Sequence, residues 1–231
     1  YKGIRNWLNK NWKFIVEVPH QYNIIRYNQY DNIFHEHIGY HSLKSIIDLA
    51  TKNNLKVFDV EKIESQGGSI RCFICHKNTS EKISNKIKIV ISSEKKLGLY
   101  SEIKLKKFKI SILSHISKLK KLLSNLKKKQ KKISIYGASG KGQALMQFCK
   151  INNKIVDYVF DKSKLKNGLF TPGTQIEIKN SDDIKKTNIH YLLLLSWNLK
   201  REIIKQEKNF VNNGGKFIIP FPSPKILKIW K

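Results

Sequence analysis

Ile133-Ser134-Ile135-Tyr136-Gly137-Ala138-Ser139-Gly140-Lys141-Gly142 is the stretch that fixes how the fold is read. Its first four residues suit a buried strand, and its three glycines mark a tight turn. Leu145 and Phe148 then follow at helical spacing. Strand, glycine turn and helix in that order open a βαβ unit. A helix entered through glycine presents backbone N–H groups and a positive dipole end to a phosphate, and Lys141 adds a point charge there. Asp161 lies about 20 residues on, as in dinucleotide-binding folds. The glycine spacing is G-x-x-G-x-G, however, and not G-x-G-x-x-G, which weakens an NAD reading. Glycines in such a turn also serve close packing of helix on strand.

Downstream the alternation continues. Val156–Phe160 reads as a strand, Asn167-Gly168 and Pro172-Gly173 as turns, and His190–Ser196 as an apolar strand. Asn198–Asn213 reads as a helix stopped by Gly214-Gly215, and Lys216–Pro220 as a last strand. This predicts a small parallel, three-layer α/β domain over residues 131–231. Upstream, Leu105, Phe108, Ile112, Ile116, Leu119, Leu123 and Leu126 step by three and four, so residues 96–130 read as a connecting helix. Twelve lysines between Lys104 and Lys132 flank that stripe. A membrane-surface helix has a similar pattern, but this one lacks Trp and carries several Ser.

Residues 1–95 read differently. A helix end at residues 4–10 precedes a strand at Lys13–Val18, stopped by Pro19. A polar and aromatic segment runs from His20 to His41. Ser42 then caps a helix with Leu43, Ile46, Ile47 and Ala50 on one face. Leu55–Val60 and Ser69–Cys75 form a hairpin through Gly67-Gly68. The chain begins with Tyr1 in what reads as the middle of a domain, so a longer parent protein is expected.

Composition limits the function classes. The 231 residues are 40% hydrophobic, enough for packed cores. The formal charge is 45 − 17 = +28. Only Arg5, Arg26, Arg71 and Arg201 are arginines, and the planar Arg fork is the side chain favoured for base and phosphate readout. Surface lysine explains the charge, and no nucleic-acid partner is expected. No run of about 18 apolar residues occurs, so no membrane span is expected either. Cys72, Cys75 and Cys149 are odd in number. Cys72 and Cys75 are three apart on a strand and point to opposite faces, which suits small core residues in a reducing cytoplasm.

The segment Phe34-His35-Glu36-His37 carries the chemistry. Imidazoles flanking a carboxylate supply a base with a pKa near neutrality and an acid to orient it. Catalysis, a metal site using His37 and His41, and a polar surface loop all fit the spacing. No Cys or Asp stands close enough to complete a tetrahedral site, so no metal is expected.

Taken together, these stretches resemble the sugar C-methyltransferases that act on nucleotide-linked 4-keto sugars. The matching runs are Ile15–Pro19, Tyr30–His37, Gln66–Arg71, Tyr136–Gly142, Pro172–Thr174 and Ser196–Lys200. The resemblance implies an α/β chain holding the C-terminal half of a class I methyltransferase sheet, its last two strands forming an antiparallel edge, plus a Rossmann-like domain. It implies S-adenosylmethionine as methyl donor, although the glycine-rich turn that binds it lies outside this chain. Any zinc would belong to an N-terminal region, also outside it. It implies His37 as the base, with Glu36 and Phe34 shaping the site. Family members usually carry Tyr at the place of Phe34. Substrate contacts are expected from Lys141, Ser139, Gly140, Asn198 and Arg71. The alternative is a non-catalytic nucleotide-sugar or phosphate-binding module, or a remnant lacking the methyl-donor site.

Overall fold

The computed structural model describes residues 1–227, so the last four residues of the expected 131–231 domain lie outside the described residues. The chain divides into two compact units. One comprises Tyr1–Gln29 and His37–Phe108, the other Tyr30–Glu36 and the chain from Lys109 onward.

In the first unit, α1 (Lys2–Trp7) precedes β1 (Phe14–Pro19), α2 (Gln21–Arg26), α3 (Leu43–Lys52), β2 (Leu55–Ile63), β3 (Ser69–His76) and α4 (Asn85–Leu97). The sheet order is β1-β3-β2, with β3 antiparallel to both neighbours. The expected hairpin is present, but β3 lies inside the sheet and β2 takes the edge. The burial of β3 explains this. Ser69 and Cys75 on one face are covered, as are Ile70, Cys72 and Ile74 on the other, a pattern that belongs to an interior strand. Leu43, Ile46 and Ala50 of α3 pack on Val57, Val60, Ile70 and Ile74, closed by Ile87 and Val90 of α4. Ser42 caps α3 reciprocally with Ser45, each hydroxyl accepting the other's backbone N–H at 3.1 Å.

Helix α4 carries no sequence-based expectation, because only Ile87, Val90 and Glu94 of its thirteen residues are buried. Gly98 ends it in the left-handed region at φ 74°, a conformation glycine adopts without strain. Helix α5 (Glu102–Lys128) follows, and the unit boundary falls within it. Of the predicted stripe only Leu119, Leu123 and Leu126 are buried, and Leu105 is exposed.

The second unit continues with β4 (Ile133–Tyr136), α6 (Gly140–Cys149), β5 (Val159–Asp161), β6 (Ile178–Asn180), β7 (Tyr191–Leu194), α7 (Lys200–Gln206), α8 (Lys208–Asn212), β8 (Lys216–Ile219) and β9 (Lys225–Ile226). The order is β6-β5-β4-β7-β8-β9, parallel except for the antiparallel β9. From β4 the chain builds outward through β5 and β6, then returns to place β7 on the other side. The C-terminal ends of β4 and β7 are therefore the switch point, where open α/β sheets hold their ligands. The expected helix over 198–213 is broken at Glu207 into α7 and α8.

Residues 30–36 belong to this second unit and are anchored there by buried polar groups. Nε2 of His115 lies 2.7 Å from the Pro220 carbonyl, which can only accept, so Nε2 carries the proton. Nδ1 is left to accept from the Tyr30 hydroxyl at 3.0 Å. Asp31 Oδ2 accepts the Trp197 indole N–H at 2.7 Å and lies 3.8 Å from Lys141 Nζ. The Lys141 ammonium also sits 4.5 Å from the centre of the Trp197 ring. Burial pushes the Asp31 carboxyl up to about 6, against the pull of Lys141 and Trp197. The same burial lowers Lys141, with Asp31 opposing it.

This pair gives a signed pH dependence. The folded Asp31 carboxyl holds its proton up to about 6, whereas the unfolded chain releases it near 3.8. Between those values the folded state binds more protons, so the contribution of this group to stability falls as pH rises. Urea unfolding of wild type and Asp31→Asn from about pH 4 to about pH 7 measures it. Wild type should lose stability relative to the variant through that window. A flat difference would show a carboxylate already ionised throughout.

Candidate functional site

A cleft of about 810 Å³ opens beside the glycine turn in the second unit, lined by Phe34, His35, Ser139, Gly140, Phe148 and Phe170, among others. The turn between β4 and α6 is shaped by its neighbours. Gly137 has φ 101°, and a Cβ there would meet Ser196 Oγ at 2.2 Å. One on Gly142 would meet Leu195 Cβ at 2.9 Å. One on Gly140 would stand 3.2 Å from the Phe34 ring and 3.9 Å from Glu36 Oε1. Glycine at 137 and 142 therefore lets α6 and the end of β7 close on β4. Glycine at 140 admits Phe34.

The N–H groups at the turn are partly used within the protein. Ala138 N–H donates to Asp161 Oδ2 at 2.8 Å, and Gly142 N–H donates to Ser139 Oγ at 3.2 Å. Burial raises the Asp161 carboxyl, but the N–H groups of Ser163 and Ala138 and the Lys166 ammonium outweigh it and leave the group below the ordinary range. Asp161 thus braces the turn from within. Lys166 Nζ lies 2.8 Å from the Ala138 carbonyl and 3.3 Å from Asp161, and its side chain also lines the cleft. Gln143 lines it too, with a buried Oε1 that has no hydrogen-bond partner. Lys166 and Gln143 were not legible as site residues. Lys166 is one lysine among many, and Gln143 is an unmarked helix residue.

The residues singled out in the sequence fall into separate places. Phe34, Glu36, Ser139 and Gly140 come together at the glycine turn. Lys141 is buried, its charge spent on Asp31 and the Trp197 ring and not displayed at the turn. Asn198 is exposed in the short turn Trp197–Leu199 that follows β7. In the first unit, His37 is half-buried with its ring 6.4 Å from that of Tyr40 in an edge arrangement. Arg71, on β3, lies 2.8 Å from Glu17 and 3.8 Å from Glu61, a cross-strand ladder of opposite charges. Among the described residues no three His, Cys, Asp or Glu gather as metal ligands would, and no helix is long and apolar enough to cross a membrane.

Ser196, Leu195 and Phe34 stand where side chains at Gly137, Gly142 and Gly140 would otherwise be, and Asp161 holds the Ala138 N–H.

A family model described as the C-methyltransferase C-terminal domain matches residues 64–222. Among curated proteins, C-methyltransferase NovU of Streptomyces niveus is 32% identical over 225 residues, covering 97% of this chain and 54% of that protein. The chain therefore spans about half the length of the curated relative it matches. The six-stranded, mostly parallel sheet accords with an α/β domain of this kind. By the extent of the match, more than half of its residues, the chain belongs to the C-methyltransferase family.

Proposed function

We propose that this chain supplies the base and part of the substrate site of an S-adenosylmethionine-dependent enzyme that methylates a carbon of a nucleotide-linked keto sugar. The observation that carries the reading is the run Phe34-His35-Glu36-His37. Three of its residues line or face the glycine-turn cleft, and the fourth presents a half-buried imidazole. The S-adenosylmethionine site belongs to the remainder of the whole protein. So does any zinc.

The chemistry assigned to this chain is proton removal. A ketone acidifies the neighbouring ring C–H, and a base takes that proton to leave an enolate. Neutral imidazole suits the task because much of it is unprotonated near pH 7. His37 is the proposed base, with Glu36 and Phe34 shaping its surroundings. S-adenosylmethionine supplies the electrophilic methyl group. Ser139, Gly140, Lys166 and the aromatic walls of the cleft are proposed to take the nucleotide part of the substrate. Lys141 would act through the Asp31 and Trp197 cluster. Asn198 and Arg71 are the outlying candidates. The buried free thiols of Cys72, Cys75 and Cys149 support a reducing, cytoplasmic setting.

Methyl transfer to a panel of nucleotide 4-keto sugars tests this in the whole protein. His37→Ala should lose about 10²- to 10⁴-fold in kcat, the range for a missing general base. Equal turnover would remove the base assignment. Substrate binding without turnover in wild type would favour the non-catalytic module. The ring at position 34 gives a separate test. Phe34→Tyr adds a hydroxyl able to donate to a developing enolate, and kcat should rise by about 10-fold on 4-keto sugars, a modest share of what such donors supply. An unchanged kcat would show that position 34 serves only to pack on Gly140.

A further inference from the structure

In the first unit the Glu94 carboxylate is fully buried and collects four donors. Oε1 lies 2.6 Å from His20 Nε2 and 2.6 Å from the Leu43 backbone N. Oε2 accepts from the Tyr100 hydroxyl and lies 3.4 Å from the Lys44 backbone N. Burial raises this carboxyl, but hydrogen bonds from His20, Tyr100 and Leu43 outweigh it and hold it below the ordinary carboxylate range. An ionised carboxylate only accepts, so His20 Nε2 carries its proton. Among the described residues its only ion-pair partner is this histidine. A buried charge paired so lightly is costly unless it is aimed at groups that need it. Here those groups are the first N–H groups of α3, where the helix dipole favours an anion.

Three of the four donors, His20, Leu43 and Lys44, come from the two stretches that bracket the end of the His37 segment, and the fourth, Tyr100, follows α4. His20 forms a parallel bridge with His41, and Gln21 N–H donates to the His41 carbonyl at 3.0 Å. Leu43 and Lys44 begin α3 directly after the Ser42 cap. Between these fixed points, residues 37–40 have no regular structure, and Ile38 is almost fully exposed. His37 lies against Tyr40, and the His41 ring folds back until it would stand 3.0 Å from a Cβ on Gly39.

We infer that Glu94 is the positioning residue of this segment, fixing the exit end of the loop whose first residue is His37; this rests on the role given to His37 above. It touches neither substrate nor the proton in transit. It locks the backbone from which the imidazole is presented, and His20 and Tyr100 complete the lock. Glutamine at position 94 keeps the shape but turns at least one amide hydrogen toward a donor.

The test compares Glu94→Gln, Tyr100→Phe and His37→Ala in the whole protein, with kinetics and the ring resonances of labelled histidine. Glu94→Gln should lower kcat by about 10- to 100-fold, the cost of a displacement near 1 Å, while KM for the sugar nucleotide moves by less than about 3-fold. The His37 ring signals should shift. Tyr100→Phe should produce a smaller change of the same kind, and it decides the matter if Glu94→Gln does not fold. Wild-type kcat with unmoved His37 signals in the folded variant would overturn the inference. If His37→Ala proves fully active, the base assignment falls by itself. The resonances then decide alone, shifted signals upholding the positioning role and unmoved ones ending it.

Discussion

Irregular backbone can persist in a folded protein only if its polar groups are held, and here buried carboxylates hold them. Asp31 fixes the start of the Tyr30–Glu36 segment within the second unit, through an indole N–H and a buried ammonium. Glu94 fixes the stretch after His37 within the first, through a histidine, a tyrosine and the N-terminus of α3. The segment in between supplies little packing of its own, since Ile33, His35, Glu36, Ile38 and Gly39 are exposed. A hydrophobic loop would bury itself and need no such anchors. One whose side chains stay in solvent cannot.

The two anchors differ in a way that follows from their partners. Both are buried, so both pay desolvation. Glu94 is met by hydrogen bonds on each oxygen and stays ionised below the ordinary range. Asp31 has Oδ2 engaged while Oδ1 has no hydrogen-bond partner, and its carboxyl rises instead. Which way a buried carboxyl moves is set by the balance between its desolvation, which wins at Asp31, and the hydrogen bonds and charges that reach it, which win at Glu94.

What the sequence disclosed depended on the kind of signal. The β4–α6 turn, the Ser42 cap and the Gly214-Gly215 stop rest on local chemistry and stand where they were read. Helix α4 was invisible because thirteen residues with three buried positions show no clear period. Strands β6 and β9, three and two residues long, are too short to have one. The position of β3 between β1 and β2 is a matter of non-local pairing, which a hairpin pattern does not specify. At the site, Phe34, Glu36 and Gly140 were legible as unusual residues, but their meeting was not. Lys141 was misleading, since sequence places a cation at the glycine turn and cannot show that its side chain turns inward to Asp31.

The glycine turn shows how one motif serves two ends. Read as a string, it suggests a phosphate cradle with an acidic partner on the next strand. In three dimensions Asp161 occupies the Ala138 N–H, Ser139 occupies the Gly142 N–H, and Ser196 and Leu195 fill the space that glycine leaves. The Ala138 and Gly142 N–H groups are thus used within the protein, while Ser139 and Gly140 still line the cleft. The open volume lies instead to one side, against Phe34, Phe148 and Phe170. Gly140 belongs to both turn and cleft: its missing side chain lets Phe34 rest on the turn, and the two residues together line the open volume.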